Sequence, residues 1–465
     1  MFVEYVISQW PISQVIESVA AKIGSLEMQE AAERELRFEL TSLVDAGILR
    51  IIPHEGWLTR KEDLAASVAG SSWRMDAFYR HVRRDKAILM EHGRPVGGKY
   101  SFDVENRLPW KGRPTAPEMP SFPVDEIKEE VAQIVLEQFS DHPGTLDLAS
   151  LPASSEDAER LWTWAKNECL PYFGPYEDAM SSQAAGLFHT RISSLINIHR
   201  ILPRAMLDDA MGLAIPLASK EAFIRQVLGW REFVYHVHCA TDGFRLRPEG
   251  PEPVMSVQGD GGYGRWSGSS WPGSGQGFGG ACPSFLGASN PLPMAWWGKR
   301  SGLNCLDTVI ADVWRHGWSH HITRLMVVAN LAALLDVSPR ELTDWFWIAY
   351  ADAYDWVVEP NVLGMGTFAV GDLITTKPYV SGANYINKMS DYCERCQFDH
   401  STTCPVSSLY WAYLDRHADV LSQNPRMRII YAALRKRNPE HRRQDQEDYK
   451  RVLSALMSGE ELRSN

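Results

Sequence analysis

At 465 residues, with 45% hydrophobic and 23% charged, the chain has ordinary globular composition and is too long for one simple core, so two or three domains are expected. A formal net charge of −11 argues against a non-specific nucleic-acid coat, which rests on Lys and Arg, but leaves room for a local basic face. No run approaches the roughly 18 unbroken apolar residues of a membrane span, "MFVEYVISQW" carries no signal-peptide features, and seven cysteines do not read as a secreted disulfide framework, so a cytoplasmic protein is expected.

Within residues 1–60, "QEAAERELRFELTSLVDAG" predicts a helix and "ILRIIPH" a strand. A doubly wound domain needs several such units, so residues 1–106 read as a partial α/β, Rossmann-like region, mixed helix and loop from 61 onward. The proline-rich stretch 107–126 reads as a linker, and 127–465 as a mainly α domain with helical period from 125 to about 240. Residues 241–294, rich in Gly, Pro and Ser, are expected to be a mobile surface insertion. The basic runs "YRHVRRDK" (79–86) and "RMRIIYAALRKRNPEHRR" (426–443) read more readily as solvated helix faces than as nucleic-acid contacts.

Helices resume near 303. In "SPRELTDWFWIAYADAYDW" (338–356), Ser338 as N-cap, Pro339 at N1 and Glu341 at N3 predict a capping box. On that helix Trp345, Ala349, Asp352 and Trp356 would share a face, and a buried Asp there needs a partner. Seventeen Trp residues, many in helical segments, either fill a large core or serve a site that stacks flat rings or moves electrons.

"SDYCERCQFDHSTTCP" (390–405) sets Cys393 and Cys396 in C-x-x-C spacing, followed by Cys404. Spacing alone leaves structural zinc and an iron–sulfur cluster open, with Cys169, Cys239, Cys282 or Cys305 as a fourth ligand, or His400 for zinc. The tandem His320 and His321 in "SHHITR" are either core residues or a proton-handling pair.

Segment 301–396, from "SGLNCLDTV" to "SDYCERC", closely resembles the iron–sulfur bacterial cryptochromes and photolyases, the prokaryotic (6-4) photolyases. With "PVGGKYSFDVENR" and "TKPY", the match runs from about residue 70 to 425. The resemblance implies an all-helical FAD-binding domain and a [4Fe-4S] cluster on Cys305, Cys393, Cys396 and Cys404. It implies flavin contacts from His189, Thr190 and Ser193 in "HTRIS", and from Gln226 and Arg231 in "FIRQVLGWREF". Arg324 and Asp352 resemble the ion pair beside the isoalloxazine, Asn361 lies on the segment passing its edge, and Val358 stands where some relatives carry Glu. Trp345 and Trp297 fall on electron-transfer positions, while Phe346, where some relatives have Tyr, closes a route through that residue.

The implied reaction is light-driven reversal of pyrimidine (6-4) pyrimidone photoproducts in UV-damaged DNA by a monomer that meets no membrane. His321, with His320 as second choice, would donate the proton, and Tyr379 would contact the lesion. The alternatives are a cryptochrome-like blue-light photoreceptor without repair, and a flavin-free iron–sulfur scaffold. Family members carry a full antenna domain, binding a ribityllumazine in several. With only about 60 residues ahead of the match, either a competent antenna site is missing or the chain starts inside a longer protein.

Overall fold

Residues 12–52 fold as a helix followed by one β-α-β unit in the computed structural model, which describes residues 5–68, 73–246, 252–276 and 279–464. The elements are α1 (Ile12–Ile23), β1 (Leu26–Gln29), α2 (Arg34–Asp45) and β2 (Leu49–Ile52). β1 and β2 pair in parallel, Leu26 opposite Leu49, and α2 supplies the crossover that parallel neighbours require. Leu40, Leu43 and Leu49 form its small core. α2 and β2 lie where the sequence places them. A sheet of two strands does not make a doubly wound layer, and no further strand joins it among the described residues.

Residues 58–68 and 73–88 belong to a different core. Leu58, Leu64, Phe78, Tyr79, Val82 and Ile88 are buried with Leu161, Phe223, Leu228, Trp356 and Leu363. The proline-rich stretch 107–126 therefore does not divide two cores; both sides of it build one helical body. The helix Met75–Asp85 shows why the basic run 79–86 is not simply a solvated face. Arg83 is 1% exposed and donates to the carbonyls of Ile88, Leu89 and Tyr100, which satisfies a buried charge while clamping the hairpin that follows.

The run 217–240 is helical throughout, with a wide π turn at Arg225–Arg231. Similar turns occupy Arg324–Ala329 and Pro360–Gly366. Such turns recur at functional sites. No helix is long and apolar enough to cross a membrane among the described residues.

The helix expected over 338–356 is two helices. Pro339–Ala349 ends because Tyr350 is extended, and Asp355–Glu359 starts anew. Asp352 thus lies in the turn and Trp356 on the second helix, so the shared face does not exist. Ser338 does cap, accepting from the Glu341 N–H at 3.5 Å. The reciprocal half of the box is missing, because the Glu341 carboxylate pairs with Arg265 of the insertion.

Nor does the described part of the insertion behave as a loose surface loop; its residues 247–251 and 277–278 lie outside the described residues. Val254–Met255 pairs antiparallel with Ala281–Cys282. The Asp260 carboxylate accepts from the N–H groups of Gly262 and Gly264, and the Trp297 indole N–H donates to the Gly261 carbonyl at 2.8 Å. Gly261 has φ +55°, and a Cβ there would lie 2.6 Å from the Trp345 backbone. Gly261→Ala is expected to cost about 1–3 kcal/mol of unfolding free energy, from overpacking and a left-handed backbone together. Denaturant titration checks this, and an unchanged midpoint would mean the loop does not press there.

Candidate functional site

A cavity of about 820 Å³ opens inside the helical body, within the range of cofactor pockets. The three wide turns just named all contribute to its wall. So do His189, Thr190, Ser193, Gln226, Arg231, His320, His321, Arg324, Asp352, Asn361 and Tyr379. One cavity thus gathers residues spread from 189 to 379 in the chain. Trp345 and Trp297, 0% and 1% exposed, do not line it. Phe346 does.

The Asp352 carboxylate finds its partner in Arg324, which donates two bonds of 2.9 Å and a third, of 2.7 Å, to the Ser319 carbonyl. Burial opposes the charge on Arg324, yet Asp352 beside it holds the guanidinium above its ordinary pKa. This is a bidentate ion pair in the cavity wall.

Three imidazoles cluster nearby in the wall. His189 and His320 stack at 4.3 Å with planes 8° apart, and His321 meets His189 edge-on at 5.3 Å. Burial pushes His189 and His320 well below the ordinary imidazole pKa and lowers His321 as well. Around His321, Glu177 and Asp103 favour the charged form while Arg225 and Arg324 oppose it. Neither ring nitrogen of His320 has a hydrogen-bond partner, nor does His189 Nε2. Ser193 Oγ and the Nε and Nη2 of Arg231 are equally orphaned. Each such atom costs on the order of 1–3 kcal/mol unless an occupant supplies partners.

Some expected contacts are directed elsewhere. The Gln226 amide donates to Glu177 at 2.6 Å, and that carboxylate also accepts from Arg225 and Asn106. The Asn361 amide donates to the Val357 carbonyl at 2.7 Å. The helix after Thr190 spans only Ser193–Asn197, so its donors act as side chains rather than through a helix dipole.

Sequence reading missed Asp178, which lines the cavity and whose carboxyl is pushed up to about 6 by burial and by Glu177. Asp103 and Arg107, which also line it, sit in the quoted "SFDVENR" but drew no role there. Tyr379 is 38% exposed at this wall, and burial raises its phenol pKa.

The cysteines gather at a second, small apolar cavity. Cys305, Cys393, Cys396 and Cys404 line it with Leu303, Ile386, Tyr392 and Phe398. Burial, then the three neighbouring thiols, push Cys305 well above its ordinary pKa; burial takes Cys393 up to about 11 and Cys404 up to about 12. Of the four candidates for a fourth ligand, Cys305 alone joins this wall; His400 instead contacts Asn387 at 3.2 Å. Among the described residues no group of three or more His, Cys, Asp or Glu is close enough to hold a metal ion.

Residues 9–150 match the family model described as "Deoxyribodipyrimidine photo-lyase-related protein". The chain is 33% identical over 371 residues to the (6-4) photolyase of Agrobacterium fabrum, covering 77% of this chain and 66% of that protein. It therefore spans about two thirds of that relative's length. A 66-residue stretch is 42% identical to an uncharacterized protein of Acanthamoeba polyphaga mimivirus, covering 14% of this chain and 54% of that one. The crystal structure of a bacterial class III photolyase from Agrobacterium tumefaciens superposes with TM-score 0.52 at 14% identity, covering 97% of this chain and 83% of that one, which speaks to fold alone. On its sequence relatives and its mainly helical fold, the chain belongs to the photolyase-related family.

Proposed function

We propose that the chain is a light-driven DNA lyase that reverses pyrimidine (6-4) pyrimidone photoproducts with FAD in the 820 Å³ cavity. The observation that carries this is the convergence, on one cavity wall, of the Arg324–Asp352 pair, three buried imidazoles and the partly exposed Tyr379. The orphaned donors and acceptors of Arg231, Ser193, His189 and His320 fit a large polar occupant. Thr190, Ser193 and Arg231 would hold its anionic part, and Arg324 with Asp352 its ring system. When bound, reduced flavin supplies a single electron under blue or near-UV light.

The chain's own residues do the rest. A lesion reaches the cavity most easily at an already distorted step, where unstacking costs least. Tyr379, half in and half out of the wall, is placed to stack on or hydrogen-bond the extruded base. His321 supplies the proton that must accompany transfer of the hydroxyl or amine between bases.

The cysteine site would hold a [4Fe-4S] cluster on four thiols brought to one apolar cavity from separate parts of the chain, the ligand type such a cluster takes. A cluster there would join the helix Asn304–His316, the turn Tyr392–Arg395 and the start of the helix Pro405–Arg416. Cys305→Ser is expected to lower iron content to background and shift the thermal midpoint downward; full iron loading would exclude Cys305 as a ligand.

The photoreceptor reading shares cavity and flavin but needs neither His321 nor Tyr379. Apolar Val358 in the cavity wall, where some relatives carry Glu, is the observation in its favour. Illuminating the chemically reduced protein with oligonucleotides carrying a defined (6-4) adduct or cyclobutane dimer separates the two. Light-dependent loss of the (6-4) adduct is expected; turnover of neither lesion by flavin-loaded protein would favour the sensor.

Asp352→Asn tests the flavin assignment directly. It leaves Arg324 charged without a counterion, and FAD retained after gel filtration is expected to fall at least about tenfold. Undiminished retention would place the flavin elsewhere.

A further inference from the structure

The chain beyond the last helix folds back onto the cysteine site. The helix Pro439–Ser458 ends at Gly459, where the chain reverses, and the Glu460 N–H donates to the Ala455 carbonyl at 2.8 Å. The Leu462 N–H then donates to the Ser301 carbonyl at 2.9 Å. The Leu462 side chain is 3% exposed and joins the buried apolar group that holds Leu303, Cys305, Tyr392 and Phe398. Gly302, just ahead of Cys305, permits this approach: it has φ +82°, and a Cβ there would lie 2.2 Å from the Leu462 carbonyl oxygen.

Gln397, directly after Cys396, gives its whole side-chain amide to the same contact. Its nitrogen donates to the carbonyls of Gly302 at 3.1 Å and Leu462 at 2.9 Å, and its oxygen accepts from the Ser464 N–H at 3.2 Å. One amide thus joins the approach to Cys305, the exit from Cys396 and residues 462–464. Elsewhere the cysteine segments are held differently. Asn304 donates to the Tyr392 carbonyl at 2.8 Å, which ties the neighbours of Cys305 and Cys393. The loop from Cys396 to Cys404 is braced from within, where the Asp399 carboxylate accepts from the N–H groups of Ser401 and Thr402 and the Asp399 carbonyl accepts from the Cys404 N–H.

We propose that residues 459–464 and Gln397 form a clamp that sets how fast the cluster is lost, with Gln397 and Leu462 as positioning residues. This rests on the cluster reading above. A chelator reaches iron when the segments bearing the cysteines part, and such local opening has its own free energy, separate from global unfolding. The approach to Cys305 parts from the exit of Cys396 only by breaking the three hydrogen bonds of Gln397 and uncovering Leu462. None of Gly302, Gln397 and Leu462 lines the large cavity, so the clamp acts on iron and not on flavin.

The test follows loss of the broad visible absorbance and release of iron into excess EDTA from the full chain, with FAD release and thermal midpoint measured beside them. Wild type is compared with Gln397→Ala, Gln397→Glu, Leu462→Ala and Leu462→Met, and with Arg463→Ala at an exposed neighbour as control. Gln397→Ala and Leu462→Ala should each release iron at least about tenfold faster, the effect of losing hydrogen bonds or apolar burial that only the closed state makes. Gln397→Glu keeps the size but sets an acceptor against two carbonyls, and it should be as fast as Gln397→Ala. Leu462→Met and Arg463→Ala should keep the wild-type rate, and FAD release should be unchanged throughout. Wild-type iron release in Gln397→Ala and Leu462→Ala, or FAD release that rises in step with iron release, would overturn the clamp. Should Leu462→Ala fail to fold, half-buried Gln397 decides alone. Iron content of wild type separates the two claims: iron present with unaltered release in the variants removes only the clamp, and no iron in wild type removes the cluster reading and the clamp with it.

Discussion

Replacing His321 by alanine is expected to lower light-driven repair of a (6-4) adduct by about 10²–10⁴-fold, the usual contribution of a positioned general acid. Bound flavin should be retained, because His321 is one of many wall residues and carries no part of the Arg324–Asp352 pair. The pH dependence has a definite sign. Burial, with Arg225 and Arg324, lowers the His321 pKa below its ordinary value; Glu177 and Asp103 work against that. At neutral pH the proton donor is a minority species, so repair should rise as pH falls from about 8 to 6. The same lowered pKa means that the unfolded chain binds the proton better, so the buried imidazoles cost stability as pH drops below their unfolded value of about 6.5. In His321→Ala the rise in repair should vanish. An unchanged rate and pH profile would move the proton to His320 or to Asp178, whose carboxyl at about 6 titrates in the same window.

The largest loss of stability is expected at Glu359. It is 3% exposed and accepts from His238 Nε2 at 3.0 Å and from Arg340 at 2.7 Å. Arg340 also holds Asp344, so three helices meet at this network. Glu359→Gln would leave His238 without its carboxylate and Arg340 with Asp344 alone, at a cost of about 3–5 kcal/mol. Burial works against charge on His238, but the neighbouring Cys239 thiol and the Glu359 carboxylate win and raise it to about 9. A raised imidazole contributes fully below its unfolded value of about 6.5 and loses that contribution as pH climbs through the folded one. Glu359 is lowered despite its burial, by His238 and then Arg340, so its share fades as pH drops through the carboxylate range. The thermal midpoint of the wild type should therefore decline between about pH 6.5 and 9, and this slope should flatten in Glu359→Gln. A loss below about 1 kcal/mol would class the network with exposed ion pairs.

Local signals in the sequence were readable where the chemistry is local. Ser338, Pro339 and the apolar period mark the helix start at Pro339–Ala349, and C-x-x-C marks Cys393 and Cys396. The end of that helix was hidden because "AYADAYDW" continues an acceptable apolar period, and only Tyr350, extended beneath Arg324, breaks it. Residues 58–68 and 73–88 could not be assigned to the helical body from sequence, since their core partners, such as Phe223 and Leu363, lie far along the chain. Glycine content suggested mobility for 241–294, whereas Gly261 serves a close approach to Trp345 that composition does not reveal. The gathering of His189 with His320 and His321, and the ring of Cys305 with the three later cysteines, are tertiary facts that only the resemblance anticipated in part.

The most direct measurement is the visible spectrum and cofactor content of the purified protein after denaturation. FAD released in stoichiometric amount, above a broad absorbance that disappears with the iron, is the expected result. A colourless protein releasing neither flavin nor iron would contradict the central claim that this cavity, with its unpartnered imidazoles and its Arg324–Asp352 pair, is built around a flavin.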